Sequence, residues 1–109
     1  MKPDFVFYPQ VYISPDLDAK DLPKLRRKIK AAKDGLYVIT VSEAPGEQLE
    51  ILPSKTLKGL LYDGRRIPVV GIASGEETAA ELVASIAEDC MKVRGDLNMK
   101  EYCTCGQWY

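Results

Sequence analysis

The sequence predicts an α/β (α+β) domain: a two-layer sandwich in which two helices cover one face of a mixed or mostly antiparallel sheet. Short β-branched runs separated by Gly and Pro are typical of strands. Two other segments carry apolar residues at helical spacing. With 109 residues, 46% of them hydrophobic, the chain has the size of a single domain. We predict the element order β-α-β-β-β-β-α.

Three of the predicted strands have clear signals. Phe5 to Ile13 is rich in aromatic and β-branched residues, and Pro9 favours a sheet edge or a bulge there. The nearly continuous β-type run 36–41 predicts a central strand. The alternation in 48–52 indicates an antiparallel partner for that strand.

Three further segments have weaker signals. Asp63-Gly64 accepts the positive φ angles of a tight hairpin turn, which would join strands at 60–62 and 65–73. Residues 54–58 are predicted to form one helical turn. Residues 96–102 alternate weakly, so we expect a short edge strand there.

Two segments are predicted to be helices. Asp18 or Asp21 can cap the first helix, and Gly35 is predicted to end it. Its apolar residues form a narrow stripe of Leu22, Leu25, Ile29 and Ala32. The second helix is predicted at about 75–94, beginning at a capping box in 74–77 and ending at a glycine. Its apolar stripe consists of Ala79, Leu82, Val83, Ile86, Ala87, Cys90 and Met91.

A pattern of strands and one acidic helix runs through most of the chain. Its strand segments are 35–40, 49–52 and 66–73, and the acidic helix follows the last of them. Over about residues 22 to 102 this pattern resembles small bacterial α/β proteins of unassigned function. The resemblance implies a fold, but it implies no chemistry and no site.

The composition excludes several classes of enzyme. Histidine is absent, so Ser-His-Asp, Cys-His and His-metal chemistry cannot be built within one chain. The strand-to-helix segment 71–75 lacks the spacing of a phosphate loop. Glu76 and Glu77 follow it at the place where an anion would bind, so helix capping explains the segment better. We therefore expect a protein that is not an enzyme and has no cofactor.

Charge and cysteine content predict where the protein resides. The 15 basic and 16 acidic residues give a net charge of −1, which offers no overall field to attract nucleic acid or an anionic membrane. The first nine residues lack the apolar stretch of an export signal, and no apolar run reaches the roughly 20 residues of a membrane span. Three cysteines suit a reducing compartment. We expect a soluble, cytoplasmic protein.

The first predicted helix is strongly basic. No aromatic or glycine-rich nucleic-acid motif is interleaved with its cations. This favours a simple solvated face, and docking surfaces for an acidic protein partner or for nucleic acid are the alternatives. The predicted partner-binding cations are Lys24, Arg26, Arg27, Lys28, Lys30, Arg65 and Arg66.

The last seven residues carry a second set of candidates. We expect a domain of residues 1–102 followed by a mobile tail, 103–109. Trp108 and Tyr109 are aromatic anchors of the kind that dominate interfaces, so they join the predicted partner-binding residues. Cys103 and Cys105 could supply half of a tetrahedral zinc or iron site whose other ligands come from a second subunit or a partner.

The leading hypothesis is a non-enzymatic binding or adaptor module that recognises a macromolecule through the basic helix, the tail, or both. Three alternatives stay open: a metal- or thiol-dependent protein that uses the two tail cysteines across a dimer, a tail that is the substrate of a modifying enzyme, and a nucleic-acid-binding protein. A homodimer is also predicted, because pairing of edge strands would satisfy their backbone groups.

Overall fold

The computed structural model describes residues 4–31, 35–42, 48–58 and 66–104. They form seven main elements: β1 (Asp4–Ile13), α1 (Leu22–Lys30), β2 (Tyr37–Val41), β3 (Leu49–Pro53), β4 (Arg66–Ala73), α2 (Glu76–Arg94) and α3 (Met99–Thr104). Short 3₁₀ helices lie at Ala19–Asp21 and at Ser54–Lys58, where one helical turn is predicted. The predicted mixed α/β class is confirmed.

The described strands form one mixed sheet with the order β1-β4-β2-β3. β4 pairs with β1 in parallel and with β2 in antiparallel, and β3 is antiparallel to β2. The predicted central strand and its antiparallel partner are therefore confirmed. β1 lies at an edge, and its register shifts between Phe7 and Tyr12, the interval that contains Pro9. The edge and the bulge predicted from that proline are both present.

The predicted hairpin falls only partly within the described residues. The strand β4 forms as predicted, and its described neighbours are β1 and β2. The strand predicted at 60–62 and the turn at 63–64 lie outside the described residues. The described element order is thus β-α-β-β-β-α-α.

The buried core is divided between the two faces of the sheet. Val38 and Val69 belong to the cluster beneath α1, whereas Ile39 and Val70 belong to the cluster beneath α2, and all four are fully buried. Successive strand residues point to opposite faces, so the helices lie on opposite sides of the sheet. The prediction of a two-layer sandwich, in which both helices cover the same face of the sheet, is therefore wrong about the position of the helices. The central strands are apolar on both faces, and each face needs its own cover.

The start of α1 does not use the predicted side-chain cap. Asp21 occupies the N-cap position without a side-chain capping hydrogen bond, and Asp18 instead accepts a hydrogen bond from the backbone N–H of Lys20 at 2.9 Å. The helix also ends at Lys30, before the predicted stop. Gly35, with φ 96°, therefore shapes the entry into β2 rather than the end of α1.

The N-cap of the second helix lies one residue later than predicted. Gly75 is the N-cap, and its N–H donates to Thr78 Oγ1 at 3.0 Å, so the capping box predicted at 74–77 is wrong. The C-terminal end is as predicted, since Gly95 has φ 79° and its N–H donates to the carbonyl of Met91. Met91 is 45% exposed, so the buried stripe ends at Cys90.

The chain after α2 forms a helix instead of the predicted edge strand at 96–102. Asn98 Oδ1 accepts a hydrogen bond from the N–H of Glu101 at 3.2 Å, which caps the first turn of α3. The helix buries Cys103 and packs Met99 and Tyr102 against the cluster beneath α2. The weak alternation of residues 96–102 is also compatible with a helix of about one and a half turns.

Gly71 leaves space that β2 needs. It is paired with Ile39, and a Cβ added at Gly71 would lie 2.8 Å from Ile39 Cδ1 and 3.2 Å from Ile39 Cβ. We predict that Gly71→Ala lowers the free energy of unfolding in urea by about 1–3 kcal/mol, the usual cost of overpacking. In the Ile39→Val background, which lacks Cδ1, the same change should cost less.

Gly75→Ala is the matched control for this pair of variants. A Cβ there would have Thr78 Oγ1, at 3.8 Å, as its nearest neighbour, which is ordinary van der Waals contact. If Gly71→Ala lowers the free energy of unfolding equally with and without Ile39→Val, the contact with Ile39 Cδ1 does not limit packing at residue 71.

Candidate functional site

Most of the predicted partner-binding cations lie on α1. Leu25 and Ile29 point into the core and anchor the helix. With 3.6 residues per turn, Arg27 lies on the opposite side of the helix, with Lys24 and Lys28 next to it on one flank, and all three are exposed. These three cations are called the basic face below.

The charges of the basic face are not neutralised within the described part of the chain. No residue of α1 is acidic. The described ion pairs join Lys92 to Glu88 and Arg94 to Asp96. Neither pair involves the basic face, so its cations face water.

The other predicted binding residues are more scattered. Lys30 is exposed and Arg26 is half-buried, at the margins of the basic face. Arg66 is the first residue of β4, and its Cα is in register with that of Asp4 at the start of β1. Arg65, Cys105, Trp108 and Tyr109 lie outside the described residues.

Sequence reasoning missed a hydroxyl cluster at one edge of the sheet. Ser14 follows β1 and Ser74 follows β4, and these parallel strands bring their carboxyl ends together. The hydroxyls of Ser14, at 2.8 Å, and of Ser74 donate to the two carboxylate oxygens of Asp16. The backbone N–H of Ser74 donates to Ser14 Oγ at 3.3 Å. The parallel pairing of β1 with β4, which creates this cluster, leaves no signal in the sequence.

These contacts decide what the cluster can do chemically. The hydroxyl of Ser74, and then that of Ser14, stabilises the ionised carboxylate and holds the pKa of Asp16 below its usual value. A carboxylate with a lowered pKa is a poor general base near neutral pH. The cluster therefore acts as a link between the loops that follow β1 and β4.

A second polar link connects β1 to both C-terminal helices. Tyr12 donates its hydroxyl to Asp89 Oδ2 at 2.6 Å, and the hydroxyls of Tyr12 and Tyr102 lie 3.1 Å apart. Burial, followed by the hydrogen bond to Asp89, raises the pKa of Tyr12 far above its usual value. Tyr12 therefore stays protonated and holds α2 and α3 against the edge strand.

The cysteines within the described residues are buried. Cys90 donates its thiol to the carbonyl of Asp96 at 3.3 Å, and Cys103 has no exposed surface. Among the described residues, no group of three or more Cys, Asp or Glu is placed to hold a metal ion. Cys103 lies inside α3, so it could reach a ligand only if that helix moved.

Comparison of the chain with protein-family models, with curated proteins and with solved structures finds no match. Within the described ranges, no helix is both long and apolar enough to cross a bilayer.

The Asp16 link predicts a pH dependence of stability. Because its pKa is lower in the folded state, ionised Asp16 stabilises the fold above its unfolded pKa of about 4. That contribution is lost as the pH falls through the folded-state pKa. Asp16→Asn should lower the Tm at neutral pH, and the difference from the unchanged chain should narrow below about pH 4.

The control for this variant is Asp21→Asn, because Asp21 makes no side-chain capping hydrogen bond. It should lower the Tm by less than Asp16→Asn in the same thermal scans. A Tm difference for Asp16→Asn that stays constant down to pH 2 would refute the assigned role of the carboxylate.

The hydrogen bonds of Tyr12 to Asp89 and Tyr102 predict how fast the thiol of Cys103 is alkylated. In Tyr12→Phe the hydroxyl that contacts Asp89 and Tyr102 is lost, so α3 should open more often. We expect faster iodoacetamide labelling of Cys103, followed by peptide mass mapping, and a smaller change at Cys90 in α2. Tyr37→Phe, in β2, is the matched control. Identical Cys103 rates in both variants would show that the link does not hold α3.

Proposed function

We propose that this protein is a non-enzymatic binding module that docks the basic face of α1 onto an acidic surface of another protein. The observation that carries the proposal is the group of three adjacent, exposed cations that form no ion pair with a described residue. The absence of histidine and the poor general base at Asp16 support a role without catalysis.

The arrangement of the three cations favours binding over simple solvation. One exposed ion pair contributes only about 0–1 kcal/mol, so a useful surface needs several acting together. Lys24, Arg27 and Lys28 are spaced i, i+3 and i+4, which places them within about one turn of each other. A flat acidic surface could contact all three at once.

The anchoring of α1 also supports the proposal. Ile29 is fully buried and Leu25 is 5% exposed, so the core holds the helix in place. A surface that is already ordered loses less conformational freedom on binding. The cations therefore lie on a preformed platform.

A protein partner is favoured over nucleic acid by the placement of the aromatic residues. Proteins that bind single strands stack bases on accessible aromatic side chains. The aromatic side chains whose burial is described are all half-buried: Phe5, Tyr12, Tyr37 and Tyr102. The net charge of −1 gives no general attraction to phosphate either.

The proposed function includes a cytoplasmic location. Cys90 and Cys103 are not joined in a disulfide, which suits a reducing compartment. No contact of the proposed site requires a disulfide or a metal ion.

Binding of labelled poly-glutamate, followed by fluorescence anisotropy at low salt, tests the proposal. The chain should bind with an affinity that falls as salt rises. Arg27→Glu/Lys28→Glu should weaken binding about tenfold, because two ion pairs of up to about 1 kcal/mol each are lost. A variant that ends at Thr104 should bind normally, which separates the helix from residues 105–109.

Lys55→Glu/Lys92→Glu is the matched control, because it changes the net charge equally at exposed positions away from α1. It should keep most of the affinity for poly-glutamate. Equal weakening by the two double variants would mean that binding follows net charge, which contradicts the proposal. Tighter binding of a single-stranded oligonucleotide than of poly-glutamate would favour the nucleic-acid alternative instead.

A further inference from the structure

The outward side of α2 is as acidic as the outward side of α1 is basic. Leu82 and Ile86 point into the core. Glu77, Glu81 and Glu88 are exposed and fall on the opposite side of the helix at the spacing i, i+4 and i+11. These three glutamates are called the acidic face below.

The two faces point away from each other across the sheet. α1 packs on the cluster that contains Val38, and α2 packs on the cluster that contains Ile39, its neighbour on the other side of β2. The basic and acidic faces therefore cannot pair within one molecule. The net charge of −1 leaves little repulsion between copies.

We propose that the acidic surface recognised by the basic face is the acidic face of a second copy of this chain, so that copies associate head to tail. This inference rests on the proposed function and identifies its partner. It differs from pairing of sheet edges, because two different surfaces of the molecule take part.

The charges of the acidic face are available for such a contact. Glu77 and Glu81 take part in no ion pair with a described residue, and the pair of Glu88 with Lys92 has an N–O distance of 3.7 Å. Its side chains are about 70% exposed, so it is easily exchanged for another partner. When two copies meet, each of these glutamates can form an ion pair with a cation of the neighbouring molecule.

The shapes of the two helices also suit each other. Ala80 and Ala84 are exposed between the glutamates of α2, and small side chains let a second helix approach closely. Lys24 and Lys28 lie one turn apart on α1, roughly 5.4 Å, as do Glu77 and Glu81 on α2. One helix laid along the other can thus form more than one ion pair.

The symmetry of the contact has a measurable consequence. Each copy offers its basic face to one neighbour and its acidic face to another, so the contact does not close as a twofold dimer. Growth continues into larger assemblies or rings. Exposed charges carry the contact, so it should be weak and sensitive to salt.

Two neutralised variants test the inference by sedimentation velocity. Lys24→Gln/Arg27→Gln/Lys28→Gln removes the basic face, and Glu77→Gln/Glu81→Gln/Glu88→Gln removes the acidic face. Glutamine is a good helix former, so both helices should persist, which circular dichroism checks. The unchanged chain should form species beyond the dimer at low salt and return to monomer near 1 M salt, where the Debye length is about 3 Å.

Each variant alone should associate at least about tenfold more weakly than the unchanged chain. Their equimolar mixture should form a one-to-one dimer and nothing larger, because each variant keeps one working face. Variants that alone associate as well as the unchanged chain would place the contact elsewhere and overturn the inference.

A chain that stays monomeric at low salt would also overturn it. Binding of poly-glutamate separates this failure from failure of the proposed function. A monomer that binds poly-glutamate through α1 keeps the proposed function and loses only the second copy as its partner. A chain that neither associates nor binds poly-glutamate would contradict both proposals.

Discussion

The architecture depends on two central strands that are apolar on both sides. Val38 and Ile39 in β2, like Val69 and Val70 in β4, are consecutive, fully buried residues that point to opposite faces of the sheet. Neither face can be left in water, because each would expose branched aliphatic side chains. One helix must therefore cover each face, and the positions of α1 and α2 follow from this requirement.

The edge strand β1 is held by polar links in addition to its pairing with β4. Ser14 and Ser74 meet at Asp16, while Tyr12 joins Asp89 and Tyr102. Both links connect segments far apart in the sequence, and both hold loops or helices that close over the core. The lowered pKa of Asp16 and the raised pKa of Tyr12 suit a structural role better than proton transfer.

The same two-sided sheet separates the charges of the molecule. A helix on each face turns its polar side outward, so the cations of α1 and the glutamates of α2 point in opposite directions. A molecule with a net charge of −1 thus has two strongly charged surfaces that cannot neutralise each other internally. This separation underlies both the proposed docking surface and the proposed association of copies.

Sequence alone determined the elements whose signals are local. The periodicity of α2 and its stop at Gly95, the edge position implied by Pro9, the central run 36–41 and the basic character of α1 were all predictable, because each depends on neighbouring residues. Tertiary structure decided which face each helix covers, the parallel pairing of β1 with β4, the cluster at Asp16 and the helical form of α3. These features arise from contacts between distant residues, and local spacing carries no record of such contacts.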